Sequence, residues 1–284
     1  MRPPSGLFLR TKLLPPRPAP EILSRPRLTG RLEANLARPV TVVTANAGSG
    51  KTTLVADFLR QSARPYVWYQ LDHTDGDPFV FLGYLTQGIK QAAPDFGAST
   101  ISYLQQAAGE LAQRPERAVD VLLTEVLECV EQQLIIVLDD YHHLGTDTPV
   151  HAAVDRLIAY LPDVLHIIII SRDMPPLSLA RLRSQASLSI IDRTELLFTD
   201  SETQELFRRV FDLELTAEQL NEYRERTHGW ITALQLVRQM AQRQGLTAHR
   251  EDANGAPGQP VVPDLMNVLR QSERDIFDRL STSA

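Results

Sequence analysis

Residues 45–53 read Ala-Asn-Ala-Gly-Ser-Gly-Lys-Thr-Thr, and few stretches of this length restrict a fold more tightly. Ahead of them runs Val40-Thr41-Val42-Val43, a β-branched segment that reads as a short buried strand. Behind them runs Leu54-Val55-Ala56-Asp57-Phe58-Leu59, the start of a helix. A glycine-rich turn between strand and helix points successive backbone N–H groups into one concavity. The partial positive charge of the helix start lies at the same place, and together they bind a polyphosphate. The pattern G-x-x-x-x-G-K-[ST] is met at Gly50, Lys51 and Thr52, with Ala45 where the first glycine usually stands. Alanine narrows the backbone choices there and leaves the chemistry intact. Lys51 is placed to reach the β- and γ-phosphates, and the Thr52 hydroxyl to ligate Mg²⁺.

The rest of the chain supplies a sheet for this loop. Pro65-Tyr66-Val67-Trp68-Tyr69-Gln70-Leu71 reads as a second strand, Leu134-Ile135-Ile136-Val137-Leu138 as a third and Leu165-His166-Ile167-Ile168-Ile169-Ile170 as a fourth. A weaker fifth is Ser187-Leu188-Ser189-Ile190-Ile191. The third and fourth are almost continuously apolar, which is the signature of strands covered on both faces in a parallel sheet. Helical patterns alternate with them: Leu28, Leu32 and Leu36 before the first strand, Phe79, Leu82, Leu85 and Ile89 after the second, and a long helix from Arg114 to Gln133. The expected fold is α/β, a P-loop NTPase with a doubly wound, mostly parallel five-stranded sheet. Residues 94–113 carry few order signals.

After residue 199 the pattern is helical only. Thr199-x-x-Glu202 and Thr216-x-x-Gln219 are capping-box starts, and Leu206, Val210, Leu220, Tyr223, Ile231, Leu234, Val237 and Met240 mark helix faces. The expected division is a Pro-rich N-terminal arm over 1–27, the NTPase domain over 28–195, a helical module over 196–243, a linker over 244–263, and the start of a winged-helix-like domain over 264–284. The arm is either a tail without fixed structure or a segment laid over the domain, and Leu13, Leu14, Ile22 and Leu23 favour the second.

Ligands of an open parallel sheet bind at the carboxyl ends of its strands. Asp139 ends the third strand and is the candidate to hold Mg²⁺ through water. Asp140, next to it, is placed to polarise an attacking water. Arg172 ends the fourth strand and is the candidate for the γ-phosphate, with a surface salt bridge as the competing account. His142 and His143 lack a metal-ligand partner at suitable spacing and read as a solvated turn. Asp72, Asp75 and Asp77 do not have the spacing of a calcium loop. Asp77 followed by Pro78 reads instead as a helix N-cap.

Composition removes several function classes. The formal net charge of −6 argues against a strongly nucleic-acid-binding chain, although a local basic patch remains compatible with it. The lone cysteine, Cys129, makes no internal disulfide, suits a reducing cytosol, and falls in a helical pattern as a buried core thiol. There is no apolar run of about 18 residues and no apolar signal core, so a cytoplasmic protein without a membrane span is expected.

These motifs resemble those of a known family, the MalT-type (LuxR-family) transcriptional activators within the signal-transduction ATPases with numerous domains. Thr11-Lys12-Leu13-Leu14-Pro15 and Arg25-Pro26-Arg27-Leu28 resemble the family's opening segment. The loop from Ala45 to Thr53, Leu71-Asp72 through Asp77-Pro78-Phe79, Leu138-Asp139-Asp140-Tyr141-His142, Ser171-Arg172-Asp173-Met174-Pro175-Pro176-Leu177 and His228-Gly229-Trp230 follow in the family's order. The resemblance implies an ATP-binding regulatory switch with slow ATPase activity, whose ATP or ADP state controls opening and self-association. It implies nucleotide contacts from Thr44, Ala45, Asn46, Ala47, Gly48, Ser49, Gly50, Lys51, Thr52 and Thr53, with Arg27 near the adenine. Thr52 and Asp139 would hold Mg²⁺, and Asp140, Lys51 and Arg172 would act in catalysis. DNA contact is expected only through domains missing from this chain. Ile231 departs from the proline usual in the helical motif. A small-molecule P-loop kinase and a non-hydrolysing nucleotide-dependent scaffold are the competing readings.

Overall fold

The structure is a computed structural model describing residues 9–17, 22–184, 187–212 and 215–243. The expected linker and winged-helix start lie outside these residues. The chain divides into two compact units, Met1–Pro18 with Ser24–Leu196, and Ala19–Leu23 with Leu197–Ala284.

In the first unit, helix α1 (Pro26–Asn35) leads into strand β1 (Val40–Thr44), and α2 (Lys51–Ser62) into β2 (Tyr66–Gln70). Then come α3 (Pro78–Ala92), α4 (Ala98–Gln106), α5 (Glu116–Cys129) and β3 (Leu134–Asp139). After β3 follow α6 (Val150–Ala159), β4 (Leu165–Ser171), α7 (Ala180–Ser184), β5 (Leu188–Ile191) and the short α8 (Arg193–Leu196). The five strands lie in the order β2-β3-β4-β1-β5, and every pairing is parallel.

Alternation along each strand sorts its side chains to the two faces. Val40 and Val42 of β1, Leu134, Ile136 and Leu138 of β3, and Ile167 and Ile169 of β4 join one core with Phe81, Leu85, Leu122, Val126 and Val154 from α3, α5 and α6. Val43, Ile135, Val137, Ile168 and Ile170 join the other, with Leu28, Leu32, Leu54 and Phe58 from α1 and α2. Both faces are therefore covered, which is why β3 and β4 have no polar side.

Several local expectations change. The helix read over Arg114 to Gln133 is shorter, because Pro115 caps it and Val130 is already extended. The stretch with few order signals contains α4. Its first N–H groups are satisfied by Glu125, whose carboxylate accepts from the backbones of Gly97, Ser99 and Thr100 at 2.9–3.0 Å and from the Thr100 hydroxyl. A cap supplied from another helix leaves no local signal. Cys129 is half-buried at the end of α5. On α3, Phe79 is 38% exposed, and Phe81 takes the buried place beside Leu82, Leu85 and Ile89. Asp77 does cap α3, accepting from the N–H groups of Phe79 and Val80.

Residues 9–17 of the arm are laid on the sheet unit, whereas Leu23 packs on the core of the second unit. Leu13 is buried and Leu14 exposed. Lys12 pairs with Asp72 and with the fully buried Asp75, at 2.7 Å each, and Asp75 also accepts from the Tyr69 hydroxyl. Two of the three aspartates of this segment are thus engaged with a lysine.

The second unit contains α9 (Asp200–Arg209), α10 (Ala217–Thr227) and α11 (Ile231–Arg243) around Leu206, Phe207, Phe211, Tyr223 and Leu234. Thr199 and Glu202 form the expected reciprocal cap on α9. Ile231 opens α11, the position where a proline is tolerated because its N–H has no intrahelical partner.

Candidate functional site

The loop, β3 and β4 meet at one edge of the sheet because β4 lies between β1 and β3. Gly48 and Gly50 have φ of 71° and 80°, left-handed values that glycine adopts freely and that turn the chain back over the start of α2. The entry to the loop is anchored to the end of β4. The Thr44 hydroxyl donates to the Arg172 carbonyl at 3.2 Å, and the Ala45 N–H to the Ser171 carbonyl at 3.4 Å. Ala45 is buried, so its methyl group is accommodated in the core.

Lys51, at the first position of α2, folds under the loop. Its ammonium donates to the carbonyls of Ala45 at 2.6 Å and Asn46 at 3.0 Å. Burial lowers its pKa, with the charge of Arg172 acting in the same sense and Asp140, Asp139 and Asp173 opposing. Ser49 is buried, and Asn46, Ala47, Gly48 and Thr53 are exposed.

The Thr52 hydroxyl donates to a carboxylate oxygen of Asp139 at 3.1 Å, joining the helix after β1 to the end of β3. Asp139 is 2% exposed. Burial, followed by the adjacent charge of Asp140, raises its pKa to about 7, against the pull of Thr52, the Asp140 N–H and Lys51. Asp140 sits in the left-handed region at φ 57°, an uncommon conformation for a residue with a Cβ. Its N–H donates to Asp139 at 3.0 Å.

Arg172 is exposed at the end of β4, and its charge is felt at both Lys51 and His142. Lys51, Thr52, Asp139, Asp140 and Arg172 therefore belong to one constellation. Arg27 stands apart from it, exposed at the start of α1 and donating to the Glu195 carbonyl at 3.0 Å.

His142 is not a solvated turn residue. Both its ring nitrogens are buried and lack a hydrogen-bond partner. Its pKa is lowered by burial, then by His143 and Arg172, while Asp140 opposes. An imidazole with two unmet polar atoms in the field of Asp140, Arg172 and Lys51 is a functional candidate. Its position two residues after Asp140 is the only sequence signal, and that spacing has no meaning until the turn is folded.

A magnesium nucleotide fits this donor set. The loop offers N–H groups and a lysine to phosphate, and Thr52 and Asp139 offer hard oxygens to a small divalent ion. Mg²⁺ asks for only one or two protein oxygens and fills its remaining positions with phosphate and water. Among the described residues no group of three or more His, Cys, Asp or Glu gathers as a metal cage.

No protein-family model matches the chain. It is 30% identical over 245 residues to the HTH-type transcriptional regulator MalT of Vibrio parahaemolyticus, covering 85% of this chain and 26% of that protein. To the MalT of Cronobacter sakazakii it is 29% identical over 255 residues, covering 89% and 27%. The chain thus spans about a quarter of the length of the curated relatives it matches. Among solved structures, a Walker-type ATPase of Pyrococcus abyssi is similar at a TM-score of 0.51 and 16% identity, over 95% of this chain and 78% of that one. The Orc1 protein of Aeropyrum pernix, solved in complex with DNA, is similar at 0.50 and 13%, over 93% and 70%. These structural likenesses concern the fold, that of a P-loop ATPase.

Proposed function

The chain is homologous over 85% of its length to MalT-type HTH transcriptional regulators, and from that premise we propose that it is an ATP-binding regulatory switch with slow ATPase activity. The observation that carries the reading is the hydrogen bond from Thr52 to Asp139 beneath the glycine-rich loop. It brings the end of β3 to the residue that would ligate a nucleotide-bound cation.

In this reading the loop N–H groups and the start of α2 hold the phosphates. Lys51 exchanges its loop carbonyls for the β- and γ-phosphate oxygens, and its positive charge offsets the charge that develops there. Thr52 and Asp139 would hold Mg²⁺, which when bound would supply charge neutralisation to the phosphates. Asp140 accepts a hydrogen bond from the attacking water and orients it. His142 supports that orientation from within the same turn. Arg172 contacts the γ-phosphate, so that only the triphosphate engages the end of β4. An aspartate at Asp140 is one methylene shorter than the glutamate more usual for this task, which favours slow turnover. Slow turnover suits a timer that returns the protein from an ATP to an ADP state, with self-association belonging to the ATP state. DNA would be engaged through sequence of the kind that gives the relatives their HTH name, beyond the stretch that matches.

Nucleotide content and ATP hydrolysis of the purified protein test this reading. Lys51→Ala should weaken nucleotide binding by at least about 100-fold, because one ammonium makes several charge-assisted hydrogen bonds to phosphate oxygens and all of them go with it. An unchanged ATP affinity would refute the loop assignment. Asp140→Asn should keep ATP affinity while hydrolysis falls by about 10²–10³-fold. Equal hydrolysis in this variant would remove Asp140 from the mechanism.

A further inference from the structure

His151, on α6, is 9% exposed and makes two hydrogen bonds that span the short turn Tyr141–Leu144. Its Nε2 lies 2.8 Å from the Gly145 carbonyl oxygen, and its Nδ1 lies 2.9 Å from the Tyr141 hydroxyl. A carbonyl only accepts, so Nε2 carries the proton and Nδ1 accepts from Tyr141. Tyr141 is 1% exposed, and burial, helped by the charge of Asp155, raises its pKa, so the phenol keeps the proton it donates. The tilted rings pack 5.6 Å apart. One imidazole therefore grips the first residue of the turn and the glycine that ends it, Gly145 at φ 72°.

That turn starts directly after Asp140 and contains His142. The left-handed backbone of Asp140 is uncommon for a residue with a side chain, and the surrounding turn holds it there. The turn is entered through a local backbone bond, His143 N–H to the Asp140 carbonyl at 3.0 Å. The two bonds to His151 add a tertiary, directional restraint. Cohesion alone does not call for such a pair, since an apolar pair of the same shape contributes comparably to stability. What the polar pair adds is a fixed direction.

We propose that His151 is a positioning residue for hydrolysis: through Tyr141 and Gly145 it fixes the turn that aims Asp140 and His142 at the loop, and it sets turnover without contributing to nucleotide affinity. The inference rests on the ATPase reading above.

Tyr141→Phe removes one hydroxyl and keeps the ring in the core. Its kcat should fall about tenfold, the scale of a small loss of alignment, while the Kd for ATP and ADP stays within about twofold. His151→Leu should behave alike, and Tyr141→Phe with His151→Leu should be no worse than the more damaging single change, because the two act as a unit. His151→Gln, which keeps one donor and one acceptor, should recover most of the lost turnover. That rescue and the split between kcat and affinity would not arise from a purely packing role. Wild-type turnover left unchanged by Tyr141→Phe and His151→Leu overturns this inference alone, as does a matching loss of nucleotide affinity. A wild-type protein that binds ATP and never hydrolyses it overturns the ATPase reading, and this inference with it.

Discussion

His166 shows how one buried residue in the sheet carries a consequence for the whole domain. It is fully buried on β4, its Nδ1 2.6 Å from the Arg38 carbonyl and its Nε2 3.2 Å from the Thr41 hydroxyl. The carbonyl fixes the proton on Nδ1, so Nε2 accepts, and the neutral ring has every polar atom satisfied. Burial lowers its pKa from 6.5 to about 4, against the opposing effect of the Arg38 carbonyl. The unfolded chain therefore binds more protons than the folded one between these values. The resulting stability is complete above pH 6.5 and is lost as pH falls towards 4, by about 3 kcal/mol. Denaturant titrations across that window should show this loss in the wild type, and His166→Gln should flatten it whatever its effect at neutral pH. The same electrostatics act at Asp139, where burial beside a second carboxylate leaves an acid that a divalent ion would readily neutralise.

At the scale of elements, boundaries follow caps, and caps come from near and far. Asp77 on α3 and Thr199 with Glu202 on α9 lie beside the helices they start, so they are readable from the sequence. Glu125 reaches α4 from another helix and is not. In the second unit the turn before α11 depends on Gly229. It has φ of 76°, and its carbonyl accepts from the Phe198 N–H at 2.9 Å. A Cβ there would overlap the Phe198 carbonyl oxygen and lie 2.9 Å from its nitrogen. Both atoms are backbone and cannot move aside cheaply. Gly229→Ala should destabilise the second unit by about 2 kcal/mol or more, through strain and overlap together. Thermal unfolding followed by helical circular dichroism would register it, and an unchanged transition would show that the turn relaxes.

For the whole molecule, the sheet unit and the helical unit each have their own apolar core. The proposed nucleotide site lies on residues of the sheet unit, so nucleotide binding there would stabilise that unit by mass action. At about 100 times its Kd, Mg-ADP should add about 2.7 kcal/mol and raise the melting transition of the sheet unit by about 5–10 °C. Calorimetry with and without Mg-ADP would measure this, and Lys51→Ala should abolish the shift. Among the described residues no helix is long and apolar enough to cross a membrane.

The sequence by itself determined the loop, the parallel sheet and the acidic strand end. Gly48 and Gly50 ahead of Lys51 free the local dihedrals for the loop, and unbroken β-branched runs such as Ile167–Ile170 favour a strand buried on both faces. Those signals act over a few residues, which is the range that periodicity can report. Tertiary structure decided the strand order that places Thr52 beside Asp139. It turned His142 from an apparent surface residue into a half-buried one whose ring nitrogens are shielded from solvent, and set His151 across the turn that carries it. It also seated Lys12 on Asp72 and Asp75, which no spacing foretold. Each of these depends on a partner distant in sequence, and a hydrogen bond to a remote residue leaves no periodic trace in the chain that makes it.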